Sequence, residues 1–513
     1  MERLPTEKTI GEIPQPRNAI VVLLDSLNRH HIQPYGGAEF DTPNLSRFAQ
    51  RALKFERHYT GSLPCMPARH DILCGALDFP WRPWGSVEIW ERPITDSLRA
   101  AGITTMLVTD HPHLFETGGE NYHCDFTAWD YQRGGEGDPW KTRPDPSWHG
   151  APNFKAGHMP YDDSRGWFRG EEGFPGPRTM AAAALWLHVH ARFHDRFLLF
   201  IDEFDPHEPF DTPEPYASMY DPSWKDVPLI WPPYDDGAVR KGVITERQAA
   251  QIRACYGAKL TMIDAWFGRV LDAIDAQDLW SDTAVIVMTD HGVYLGEKDI
   301  WGKPPVPVYE PLGHIPLMIA WPGIAAGTCS ALTTTVDVFA TLANVFGVDV
   351  PQRTHGRSLG PLITGQIASI RDHVLTGVWG REVNLVHKEG KYTRAPVGDN
   401  APLSMWSNRW STMPRHYAPP NLRLPLPDDR ATLARMPGSN VPVIYQPFGV
   451  GDFLPWQAFG DFSGNHLYDL SNDADEQCNL AGTKREKEEA DRLREALLEI
   501  EAPPEQFTRL GLE

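Results

Sequence analysis

NAIVVLLDSLNRH (residues 18–30) begins as an unbroken apolar run and turns polar at a single residue, Asp25. Aliphatic and β-branched residues with no polar alternation read as a strand buried on both faces, the kind that parallel sheets use. Asp25 then stands at the carboxyl end of that strand. The pattern recurs along the chain. ITDSLRAAG (94–102) is a helix closed by Gly102, and ITTMLVTDHPH (103–113) is a strand running into a loop. AAAALWLHVHARF (181–193) leads into FLLFIDEFDPHEPF (197–210), and MIDAWFGRVLDAIDAQDLW (262–280) leads into TAVIVMTDHG (283–292). Alternating helix and strand predict an α/β fold with one large, mostly parallel sheet sandwiched by helices. Polar clusters follow four of the strands: Asp25, residues 109–113, residues 205–207, and Asp290 with His291. Ligands bind outside the carboxyl ends of strands in such sheets, so these clusters are expected to meet at one site.

GSLPCMPARHDILCG (61–75) gives that site its chemistry. Pro67 is tolerated only near a helix start, where its missing N–H would have no partner. Cys65 therefore lies at a helix tip, with Arg69 one turn behind on the same face. Free backbone N–H groups and the helix dipole make such a tip favourable for an anion. The chain has a formal net charge of −20, which argues against nucleic acid as a partner. An acidic protein that binds an anion must concentrate positive charge locally, through a metal, a few Arg or Lys, and helix ends. Six cysteines with no CxxC pair do not form a disulfide framework. The opening MERLPTEKTIGEIPQPRN has no apolar signal segment, and the run at 19–24 is too short to span a membrane. The expectation is a cytoplasmic enzyme with no membrane partner.

The character of the chain changes after about residue 370. The reading is a catalytic α/β domain over 1–370 and a smaller C-terminal α+β subdomain over 371–513. Residues 395–460 are rich in Pro, Trp and Asn with little periodicity, and read as long loops that cover something or meet another subunit. That leaves a homo-oligomer open. Residues 484–500 read as a charged helix with Ala490, Leu493, Leu497 and Ile500 on one face.

CMPAR (65–69) with LCG (73–75) resembles the signature of the sulfatases, commonly C-x-P-[SA]-R followed by L-T-G. TDHGVYLGEKDIWGK (289–303) resembles their second block, and DTPNL (41–45), PHEP (206–209), HIPLMIAWPG (314–323), HGRSLGPLITG (355–365) and LYDLSNDADEQCNLAG (467–482) follow in the family's order. The resemblance spans nearly the whole chain. It extends to the phosphonate monoester hydrolases, within the alkaline phosphatase superfamily, and implies an alkaline-phosphatase-like fold.

For Cys65 the resemblance implies oxidation to formylglycine by a formylglycine-generating enzyme. The hydrated aldehyde supplies one hydroxyl as nucleophile, and its second hydroxyl lets the covalent intermediate collapse. One divalent metal ion (Mn, Ca or Mg) is implied, held by Asp25, Asp290, His291 and the modified Cys65. Arg69 and Lys303 are the implied stabilisers of negative charge, and His207 the implied donor to the leaving oxygen.

The sequence departs from the family's pattern in two places. Many relatives carry a second Asp after the first, where this chain has Ser26, a weaker ligand or a partner of the ligands. Many sulfatases also read G-K-W-H where this chain reads TDHPH, with Asp110 at the lysine position. Thr109, His111 and His113 are then the candidates to bind substrate. Losing that lysine favours a substrate group with one negative charge. The first reading is a hydrolase of small sulfate monoesters. The alternative is a phosphonate monoester or phosphodiester hydrolase with the same nucleophile and metal site. A non-catalytic binding protein is disfavoured by the full residue set.

Overall fold

The computed structural model describes residues 14–143, 145–146, 148, 150–152, 160–351, 353–411, 426–454 and 462–513. The first thirteen residues of the opening segment, and parts of the 395–460 stretch, lie outside the described residues.

Eight strands form the main sheet: β1 (Asn18–Leu24), β2 (Leu53–Tyr59), β3 (Thr104–Thr109), β4 (Ala128–Tyr131), β5 (Phe197–Glu203), β6 (Thr283–Met288), β7 (His314–Ala320) and β8 (Gly327–Thr334). Their spatial order is β8-β2-β7-β6-β1-β5-β3-β4. Only β7 runs against its neighbours; the other pairings are parallel. β1 sits between β5 and β6 with all seven residues buried.

Side chains alternate across a strand, so β1 feeds two cores at once. Ile20, Val22 and Leu24 pack on the layer containing α4 (Pro175–Val189) and the 31-residue α5 (Glu246–Ala276). Ala19, Val21 and Leu23 pack on the layer containing α2 (Cys65–Cys74), α3 (Ile94–Ala100) and α6 (Val336–Phe346). The short α1 (Pro43–Ala49) joins the first layer through Leu45 and Phe48. This is the helix–sheet–helix sandwich that the sequence predicts.

Residues beyond 370 build smaller antiparallel sheets. Four strands pair in the order His373–Gly377, Val383–His387, Gly390–Arg394 and His466–Tyr468. The helix Arg485–Glu499 covers this sheet, burying Leu493, Ala496 and Leu497 against Leu385, Tyr392 and Leu467. Within 395–460, read from the sequence as loops, Leu403–Ser407, Pro442–Phe448 and Thr432–Arg435 form a three-stranded sheet. Irregular spacing of Pro and Trp hid its two-residue period.

Helix α2 positions the site. Its ten residues are all buried, and Gly75 closes it at φ +76°. A Cβ there would lie 2.4 Å from the Phe339 ring, so only glycine lets α2 pack on α6 this closely.

Candidate active site

The strand ends converge as expected. Asp25 follows β1, Asp202 lies within β5, Asp290 and His291 follow β6, and Cys65 enters from the first turn of α2. Asp25, Cys65, Asp290 and His291 each offer a ligand atom within 4.8 Å of the others, and all four are buried.

The local backbone explains the aim of each group. Thr289 Oγ1 donates to the His291 carbonyl and accepts from the Leu27 amide, tying the turn after β6 to the turn after β1. Asp290 Oδ1 accepts from the amides of Ser26 and His291. His291 Nδ1 donates to the Gly292 carbonyl at 2.8 Å, so its Nε2 lone pair faces Cys65 Sγ at 3.2 Å. Burial, then the nearby Asp25 carboxylate, pushes the Cys65 thiol well above its ordinary value.

Arg69 binds carboxylates rather than an open substrate space. Its Nε donates to Asp202 at 2.9 Å and its Nη2 to Asp202 at 2.6 Å. Nη1 reaches Asp290 at 2.8 Å and the Cys65 carbonyl at 3.3 Å, and Nη2 lies 2.9 Å from Asp25 Oδ2. Against the burial that opposes charge, Asp202, Asp25 and Asp290 hold the guanidinium ionised. Burial raises the Asp25 carboxyl, but Arg69 and neighbouring histidines outweigh it and hold Asp25 well below the usual range. Arg69 thus ties Asp202 to Asp25 and Asp290 beside Cys65. Asp202, the main partner, was not singled out from the sequence. The signal was available, because FLLFIDE breaks an apolar strand with a carboxylate one residue before the strand ends.

Lys303 and His207 form the opposite wall. Lys303 Nζ donates to His207 Nε2 at 2.8 Å and to Ser26 Oγ at 3.0 Å. Ser26 Oγ in turn donates to Asp25 Oδ1 at 2.8 Å, which makes Ser26 a bridge between the lysine and the carboxylate. Burial lowers the His207 pKa to about 4. Its Nδ1 donates to the Glu208 carbonyl, so a neutral ring accepts the lysine proton at Nε2. Burial would discharge Lys303, but Glu208 and the site's other anions raise its pKa and keep it cationic.

The TDHPH loop divides its labour. Thr109 Oγ1 donates to the Asp202 carbonyl and accepts from the His111 amide, so its hydroxyl braces the loop. His111 Nε2 lies 3.4 Å from Asp25 Oδ2, and neither ring nitrogen has a hydrogen bond. Burial, with Arg69 nearby, drives its pKa well down, leaving a neutral ring. His113 behaves oppositely. Burial opposes its charge, but Glu116 and Glu136 push its pKa up to about 9. A cationic imidazole thus stands in the loop that lacks the lysine, with the Trp84 ring edge-on at 4.9 Å. Asp110 points elsewhere, accepting from the Phe204 amide and grouping with Glu203 and Asp205. Asn28, on a neighbouring turn, bonds Val293 and Glu297 and contributes no ligand.

The donor set fits a hard-to-borderline divalent ion: two carboxylates, one imidazole and the Cys65 position. Asp25 Oδ2 faces Arg69 at 2.9 Å and His111 at 3.4 Å, so Arg69 holds this carboxylate beside the cluster. No helix among the described residues is long and apolar enough to cross a membrane.

Residues 17–348 match the Sulfatase family model. The choline-sulfatase of Rhizobium meliloti (strain 1021) is 28% identical over 384 residues, covering 68% of this chain and 72% of the relative. The multifunctional alkaline phosphatase superfamily protein PehA of Trinickia caryophylli is 25% identical, covering 68% and 77%. Among solved structures, the phosphonate monoester hydrolase of Agrobacterium radiobacter superposes with a TM-score of 0.64 at 17% identity, covering 95% of this chain and 96% of that one. With the family model matching well over half its length, the chain belongs to the sulfatase family and is a sulfuric ester hydrolase.

Proposed function

We propose that this enzyme hydrolyses small sulfate monoesters with a formylglycine nucleophile made from Cys65 and one divalent metal ion. The observation that carries the reading is the meeting of Asp25, Cys65, Asp290 and His291 at the N-terminus of α2, opposite Lys303 and His207. Asp25, Asp290, His291 and residue 65 would hold the ion. It would supply Lewis acidity, which favours a nucleophilic hydroxyl on residue 65 at neutral pH.

The remaining chemistry belongs to the protein's own groups. Arg69 fixes Asp25 and Asp290, so the ligand carboxylates are already oriented before substrate arrives. Lys303 carries a full positive charge into a buried wall and stabilises the charge that builds on the sulfuryl oxygens. The Nζ–H···Nε2 contact holds one proton between Lys303 and His207, and that proton goes to the leaving oxygen. His113 adds a second, more distant cation, suited to a group with one negative charge.

That same charge count supports a second reading, a phosphonate monoester hydrolase using the identical groups. The ratio of kcat/KM for a phenyl sulfate and a phenyl phosphonate ester with one leaving group decides between them, with Cys65→Ala beside the wild type. Sulfate ahead, with the variant inactive, supports the first reading. Phosphonate ahead selects the second, and an active Cys65→Ala enzyme refutes both.

A further inference from the structure

Helix α2 has a second end, about 13 Å from Cys65 at the helical rise of its ten residues. His70 and Cys74 lie four residues apart on one face there, and Glu91 reaches them from the chain just before α3. One ligand-capable atom from each lies within 4.8 Å of the others. None of the three belongs to the catalytic set. We propose that His70, Cys74 and Glu91 form a second metal site, suited to a borderline-soft divalent ion such as Zn²⁺, with its fourth position open to an adjoining cavity.

The donor chemistry selects the ion class. One sulfur, one imidazole nitrogen and one carboxylate oxygen match zinc or cobalt, whereas calcium and magnesium take six or more oxygen ligands. A second observation points to a ligand independently. His70 is 1% exposed, yet its Nδ1 has no hydrogen bond; Asp78 Oδ2 lies 3.8 Å from it. A metal on Nε2 fixes the tautomer and leaves Nδ1–H facing that carboxylate, the arrangement in which an outer acid orients a ligating histidine. Third, a cavity of about 360 Å³ is lined by Cys74, Glu91, Trp90, Arg92 and Arg353. It provides an entry path and room for a water as the fourth ligand.

The charge balance is compatible with a divalent cation that displaces protons. The buried carboxylates are Asp78, Glu88 and Glu91; the buried guanidiniums are Arg82, which pairs with all three, and Arg353. Burial opposes charge on His70, but Glu91 and Asp78 raise its pKa, so it adds a third positive group and the cluster is balanced before any ion binds. A divalent ion on the Cys74 thiolate and a neutral His70 keeps that balance, because its two charges replace the His70 proton and offset the thiolate. The Cys74 S–H and His70 Nε2–H bonds break as the bonds to the metal form, and both protons leave to solvent. Glu91 Oε1 and His70 Nε2 now share a 2.5 Å hydrogen bond. They must part to roughly 3.3 Å, the spacing of two tetrahedral ligands around zinc.

The test uses the enzyme loaded with its catalytic ion. It is incubated with Zn²⁺, desalted, and its metal counted by mass spectrometry. About one further equivalent of Zn²⁺ is expected in the wild type and none in Cys74→Ala. With Co²⁺ as probe, the near-ultraviolet thiolate-to-cobalt band is expected to persist in Cys65→Ala and vanish in Cys74→Ala. Equal zinc in wild type and Cys74→Ala, or a band lost with Cys65→Ala, overturns the site and leaves the cluster bound to a proton only. A third measurement needs no variant: alkylation of Cys74, read by peptide mass, should slow at least tenfold when Zn²⁺ is added. An unchanged rate overturns the proposal.

Discussion

The two ends of α2 hold the same residue types in different surroundings. Each has a buried cysteine, a histidine, carboxylates and an arginine. At the Cys65 end the helix presents free N–H groups, and Lys303 and His113 add positive charge beside Asp25, Asp202 and Asp290. That end can hold an anion next to a cation. At the Cys74 end the last turn presents carbonyls, Gly75 closes the helix, and Arg82 and His70 pair with the carboxylates. Residue inventory alone does not separate the two; helix direction does.

The largest expected effect isolates the catalytic end. Cys65→Ala should lower kcat/KM on an aryl sulfate by about 10⁴-fold or more, because no other group at the site can form the covalent intermediate. Retained turnover would erase the distinction between the two cysteines. Asp202→Ala tests the internal brace. It removes the main partner of a buried guanidinium, and urea unfolding should report a loss of about 3–5 kcal/mol. A loss below 1 kcal/mol would mean that Asp25 and Asp290 suffice to hold Arg69.

Lys303→Ala should reduce kcat/KM by about 10²–10³-fold through lost charge stabilisation. Lys303→Arg should not restore it, since a planar fork cannot reproduce the contacts to His207 Nε2 and Ser26 Oγ. Full rescue would reduce the lysine to a simple positive charge. The smallest effect concerns the loop that departs from the family's pattern. His113 titrates near 6.5 when unfolded and about 9 when folded. Its stabilising contribution is therefore complete below the lower value and lost as pH rises through the upper one. Wild-type stability should fall by on the order of 3 kcal/mol between pH 6.5 and 9, and His113→Gln should flatten that slope. An equal slope in both proteins would show that Glu116 and Glu136 do not hold a charged imidazole.

Much of this was legible in the sequence, for identifiable reasons. The run NAIVVLL fixed a central parallel strand because nothing polar interrupts it, and Asp25 followed as the first residue beyond. Cys65 at a helix tip followed from Pro67, whose ring excludes any later position. The partners of Arg69 and Thr109 were not legible, because they come from β5, more than ninety residues away. Asp110 shows the same limit. Its position in the loop suggested the site, yet one backbone bond to Phe204 turns it toward Glu203 and Asp205. The three-stranded sheet after residue 400 was missed because irregularly spaced Pro and Trp mask the alternation of its strands.

Arg69 also bears on how the protein comes to exist. Asp25, Asp202 and Asp290 would repel one another if they were gathered at three strand ends with no counter-charge. The guanidinium travels with the chain, so the counter-charge is present whenever α2 docks on the sheet. The three carboxylates are therefore neutralised by a residue of the chain itself, and the strand ends can close on α2 with their charge already matched in part.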